Sequence, residues 1–118
     1  MPIFHGNAIP SASGDFDIPY SCRFEKPGGT KLQSTVDHSA NYTVSCWVKR
    51  CNLSGGAIHY VWRFNGEDQL QFSGTDLIVV ERKTGITLTT ARKMRDPSAW
   101  YHIVVQAGTN ILKIFVNS

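Results

Sequence analysis

From Ile18 onward, short runs rich in β-branched and aromatic residues recur about every ten residues, each closed by turn chemistry. This cadence predicts an antiparallel β-sandwich or barrel, and helices find little support. The candidate strands cover 20–24, 30–36, 42–49, 57–64, 69–72, 76–82, 86–90, 100–107 and 111–117. Gly28-Gly29, Gly55-Gly56, Asn65-Gly66, Ser73-Gly74 and Gly108 lie between them, where glycine and asparagine ease the chain through tight turns.

Side chains alternate across a strand, so the run 42–49 divides cleanly. Tyr42, Val44, Cys46 and Val48 fall on one face, and Thr43, Ser45, Trp47 and Lys49 on the other. The last two runs are apolar on both faces. Tyr101, Ile103 and Val105 oppose Trp100 and Val104, and Leu112, Ile114 and Val116 oppose Ile111 and Phe115. Such strands are expected to be central in their sheet or covered on both sides. Ala107-Gly108-Thr109-Asn110 suits a hairpin between them, and Asp96-Pro97-Ser98 reads as a turn.

The chain of 118 residues has room for one domain with a real core. Its 42% hydrophobic and 18% charged residues argue against disorder. The net charge of +3 is modest, and Arg92, Lys93 and Arg95 beside Asp96 read as a solvated loop, so nucleic acid is not an expected partner. No apolar stretch approaches the length of a membrane span, and residues 1–10 lack the character of a secretory signal. Residues 1–17, with Pro2, Gly6, Pro10 and Gly14, read as an extended arm ahead of a domain at 18–118. Cys22, Cys46 and Cys51 form an odd set without paired CxxC spacing, which suits reduced thiols and intracellular assembly. Cys46 is expected to face inward as a small hydrophobe.

Three strings carry a resemblance: YTVSCWVKR at 42–50, RDPSAWYHIVV at 95–105 and KIFVN at 113–117. Together they resemble laminin-G-like, concanavalin-A-like domains in tail-fibre and other structural proteins of tailed phages, of the marine or cyanophage type, over roughly residues 18–118. The resemblance implies an all-β jelly-roll sandwich, and a non-enzymatic virion structural protein, tail-fibre or capsid-attached, that mediates assembly or host-surface attachment. The implied partners are other virion proteins, copies of the same chain and host surface glycans. The implied location is the virion, assembled in the host cytoplasm. The alternative is a lectin-like carbohydrate-binding module, with a glycosidase fragment third. Such domains usually carry a glycine turn where Ser118 stands and continue for several strands, so the domain is expected to be cut short or completed by neighbouring subunits.

Retaining glycoside hydrolysis needs two carboxylates about 5 Å apart. Asp15 and Asp17 have suitable spacing but lie in the arm, Glu67 and Asp68 point apart, and Glu81 is alone, so no catalytic residue is assigned. His5, His38, His59 and His102 are scattered without the spacing of a zinc site, and His102, on a strand after Trp100, reads as a satisfied histidine rather than a base. Domains of the resembled kind sometimes bind calcium. Asp37, Asp68, Asp76 and Asp96 are loop-placed acids, but no ligand set follows from their spacing, and turn capping explains them more simply. No cofactor is assigned. For sugar binding, which stacks an exposed aromatic on a pyranose ring, the candidate residues are Tyr60, Trp62, Arg63 and Asp68, beside His59. Strict alternation places Tyr60 and Trp62 on one face and His59, Val61 and Arg63 on the other, and the burial habit of tryptophan favours the core for that pair.

Overall fold

The structure, a computed structural model, describes residues 20–24, 31–33, 40–53, 55–64 and 68–117. The chain divides into two compact units, residues 1–35 and 36–118. In the first, residues 20–24 and 31–33 form neither helix nor strand, and Tyr20 and Leu32 are exposed. The strand expected at 20–24 is therefore absent, and the one expected at 30–36 is absent from its described part. These runs are short and flanked by Pro19 and by Pro27-Gly28-Gly29, and alternation makes a strand only where a ladder partner takes up the backbone groups. The predicted arm at 1–17 lies outside the described residues.

Among its described residues the second unit contains seven strands: β1 (Tyr42–Lys49), β2 (His59–Phe64), β3 (Asp68–Phe72), β4 (Ile78–Glu81), β5 (Thr87–Thr89), β6 (Trp100–Ala107) and β7 (Leu112–Val116). They form two antiparallel sheets, ordered β1-β6-β7 and β2-β3-β4-β5. The sheets pack as a sandwich, because each has one apolar face that only the other can cover. Leu70, Phe72, Ile78 and Val80 from the larger sheet meet Tyr101, Ile103 and Val105 from the smaller one. Each such side chain, fully buried, contributes about 1.5–3 kcal/mol. Met94, in the loop before β6, completes this core at one end, and its backbone N–H donates to Asp76 O.

The β1 alternation is as its sequence predicts: Tyr42, Val44, Cys46 and Val48 are half-buried, and the intervening residues are exposed. Cys46 packs against the core, and burial pushes its thiol pKa up. The β6–β7 hairpin closes with Gly108 N–H donating to Ile111 O. In the Asp96 turn, the carboxylate accepts from both the N–H and the hydroxyl of Ser98. β6 is central in its sheet, as expected, with Trp100 exposed on the outer face; the expectation fails for β7, an edge strand with Phe115 exposed on that same face. A three-stranded sheet with one covering layer has an inner and an outer side whatever its composition.

Candidate functional site

Two buried arginine–aspartate contacts, at opposite ends of the sandwich, hold the sheets in register. At one end the Asp68 carboxylate accepts from the Tyr42 hydroxyl at 2.7 Å, from Arg82 Nε at 3.2 Å and from the Lys83 backbone N–H at 2.9 Å. Arg82 also donates to Gly108 O and Ala40 O, so one guanidinium joins β4 to the β6–β7 turn and to the entry of β1. Desolvation works against the Asp68 carboxylate, but the Lys83, Tyr42 and Arg82 donors outweigh it and hold its pKa below the usual range. Burial, and then the bond to Asp68, push the Tyr42 phenol well above its ordinary pKa.

At the other end Arg50 is buried, stacks over the Phe72 ring at 4.8 Å and donates to Asp76 and Met94 O, each at 3.0 Å. Asp76 sits at φ 68°, a left-handed conformation that aspartate tolerates better than most residues. Arg50, and more weakly the exposed Arg95, keep its carboxyl ionised and its pKa low. Close packing of two turns supports the same corner: Gly56 N–H donates to Gly74 O, and a Cβ on Gly74 would stand 2.7 Å from Gly56 O.

These contacts decide where the predicted site residues lie. Asp68 is buried among its donors. A β-bulge between Tyr60 and Trp62 inserts Val61 as an extra residue and shifts the side-chain parity of β2. Tyr60 and Arg63 consequently share the exposed face, with the guanidinium 4.9 Å from the phenol ring centre. Trp62 packs against the core and meets Tyr42 edge to face at 5.9 Å. The expected pairing of Tyr60 with Trp62 on one face is thus corrected, and the four candidates do not form one surface. His59, expected opposite Tyr60, lies against Arg50. Of the loop acids, Asp76 and Asp96 serve turns and ion pairs, Asp68 opens β3 rather than sitting in a loop, and Asp37 lies outside the described residues. Among the described residues no cluster of His, Cys, Asp and Glu could hold a metal ion, and no helix is long and apolar enough to cross a membrane.

A different surface gathers exposed aromatic side chains. On the outer face of the β1-β6-β7 sheet, Trp47 stands opposite His102, and their rings stack at 4.7 Å with planes 21° apart. His102 Nε2 shares a 2.9 Å hydrogen bond with the Ser45 hydroxyl, and Asn117 Oδ1 accepts from the His102 backbone N–H. The register sets Ser45, Val104 and Phe115 in the next row, with Thr43, Gln106 and Lys113 beyond it and Lys49 opposite Trp100 on the other side. Trp47 is 53% exposed, Trp100 47% and Phe115 41%. The outer side of the other sheet differs, for Gln71 and Val79 project from it and are buried. The outward residues of 42–49 are legible as alternation, but the exposure of one side of 100–107 and the assembly of both strands into one aromatic face need the β1-β6-β7 order.

The family model Laminin_G_3, described as the Concanavalin A-like lectin/glucanases superfamily, matches residues 26–118. The chain belongs to this family. No curated protein and no solved structure matches it. The two antiparallel sheets of this concanavalin A-like domain agree with the fold that the three sequence strings imply.

Proposed function

We propose that this concanavalin A-like domain is a non-enzymatic attachment and assembly module of a tailed-phage structural protein, carried on the tail fibre or capsid and assembled in the host cytoplasm. The observation that carries the attachment role is the exposed aromatic face of the β1-β6-β7 sheet. Three large apolar side chains, half in solvent, are an unusual concentration for a surface that touches nothing. Aromatic side chains dominate interface energetics because they bury much area with little loss of rotamer freedom. The virion setting is supported by the resemblance of residues 95–105 to phage structural proteins. Its partners are other virion proteins, copies of the same chain, or the host surface.

Among the described acids, Asp68, Asp76 and Asp96 are engaged by donors that hold their pKa values low, which suits a structural role better than that of a glycosidase acid, whose pKa is raised. A second reading, a carbohydrate-binding module, is favoured by the half-exposed Trp47 indole with the Ser45 hydroxyl on the same face, since a sugar site combines an exposed aromatic with neighbouring polar groups.

Immunogold labelling of intact particles of the encoding phage, with antibody raised to this chain, tests the proposal. Label on the tail or capsid surface is the expected result. Label confined to host lysate would overturn the virion assignment, and release of reducing ends from polysaccharide by the pure chain would overturn the non-enzymatic one.

A further inference from the structure

We propose that the outer face of the β1-β6-β7 sheet docks an amphipathic helix of another protein, about four turns long with an acidic residue near each end. The inference rests on reading that face as the contact surface, and it adds the chemistry of the partner. Two observations carry it: the diagonal course of the apolar side chains, and the sign of the charge at both ends of that diagonal. Every residue of the face is described, and none is a carboxylate. Its lysines, Lys49 on β1 and Lys113 on β7, are exposed at opposite corners. Trp100 and Trp47 adjoin Lys49, Phe115 adjoins Lys113, and His102 and Val104 on the central strand lie between. The corners off this line are polar, with Thr43 and Ser45 on one side and Asn117 on the other. Asp96, on which Lys49 acts weakly, lies in the turn before β6, and its carboxylate is taken by the Ser98 N–H and hydroxyl.

The lysines stand opposite Trp100 and Gln106 of β6, six residues apart, on the two flanking strands. Their backbones are therefore separated by roughly 20 Å along the strands and about 10 Å across them. A helix rises about 1.5 Å per residue, so four turns span that diagonal, and its width of about 10–12 Å is less than that of three strands. Laid along the diagonal, its apolar stripe covers the aromatic side chains, its acidic ends meet the lysines, and its polar flanks face Thr43, Ser45 and Asn117. Other occupants fit less well. The ladder bonds of a sheet lie in its plane, so an added strand pairs with an edge and not with a face. A second copy of the face would bring lysines to an acid-free surface. A lipid surface would have to desolvate Thr43, Ser45 and Gln106 without supplying partners for them. The footprint, roughly 20 Å by 14 Å, is small beside the standard interface of about 800 Å² per partner, which suits a single helix better than a globular domain.

The test measures, by calorimetry, binding of the full chain to a synthetic amphipathic helix of about four turns, with a leucine stripe and a glutamate near each end. The same peptide with lysine in place of both glutamates, phosphatidylglycerol vesicles and alginate serve as competing probes. The acidic peptide should bind about tenfold more tightly than the lysine-ended one. Trp47→Ala should weaken that binding by about tenfold. The double variant Lys49→Gln, Lys113→Gln, at exposed positions that leave the circular dichroism unchanged, should weaken it several-fold and flatten its salt dependence between about 0.05 and 0.5 M. Lys49→Glu combined with Lys113→Glu should reverse the preference between the two peptides, which general stickiness of the face would not do. Equal binding of both peptides, or tighter binding to vesicles or alginate, with Trp47→Ala still damaging, would overturn the acidic helix and leave the contact surface standing. Binding to no probe, or binding indifferent to Trp47→Ala, would also overturn the proposal; the second result would remove the face as the contact surface.

Discussion

The inner and outer rows of the three-stranded sheet are built from the same strands, one residue apart, and do opposite things. Ile103 and Val105 are sealed in the core, while Trp47, Trp100 and Phe115 stand about half in solvent. Size and hydrophobicity do not separate the two sets. What separates them is which side of the pleat meets the second sheet, and the difference means that stability and binding can be perturbed independently. The inner row, with the Asp68 and Asp76 contacts at its ends, carries stability. The outer row is available to a partner.

The largest expected effect comes from uncoupling the buried contact at the Asp68 end. Asp68→Ala leaves the Arg82 guanidinium buried without its carboxylate and should cost about 3–5 kcal/mol in urea unfolding. A loss under about 1 kcal/mol would show that water reaches this end freely. Next, Ile103→Ala opens a cavity between the sheets and should cost about 2–5 kcal/mol. Any fall in ligand binding by this variant should track the unfolded fraction alone.

The Asp68–Tyr42 pair also predicts a two-sided pH profile. The folded pKa of Asp68 is depressed, so its contribution is complete above the unfolded value of about 3.9 and is lost as pH falls through the folded value. The phenol of Tyr42 is raised, so its contribution is complete below about pH 10 and is lost as pH climbs above it. Thermal melts should therefore show a plateau between these limits. Tyr42→Phe should lower the plateau by about 1 kcal/mol and flatten its alkaline edge, and an unchanged alkaline edge would mean that another group titrates there.

The smallest effect on stability is expected from Trp47→Ala, within about 0.5 kcal/mol, because its side chain touches solvent and the His102 ring more than the core. That variant sharpens the comparison most: a melting point close to the parent's, combined with lost binding, would separate the two faces experimentally. A large drop in melting point would instead make Trp47 a structural residue.

The β1 and β6 strands were readable from residue order to their last residues, and β2 to β5 and β7 within a residue or two, because alternation and turn chemistry are local. The candidate site was less legible. Tyr60 and Arg63 share an exposed face, yet strict alternation separated them, since a bulge at Val61 arises from pairing with β3 and leaves no mark on β2 itself. Asp68 resembled an accessible loop acid because its partners, Tyr42 and Arg82, lie 26 and 14 residues away.

Residue order by itself determined that this chain makes an antiparallel sandwich or barrel, and that 42–49 has two unlike faces. Only the tertiary structure decided which apolar face was covered, which aspartates were consumed in holding the sheets together, and that Trp47, His102 and Phe115 come to share one surface. The reason is physical. Periodicity within a strand sets where side chains point relative to one another, whereas burial depends on strand order and register, which are settled by partners distant in the chain.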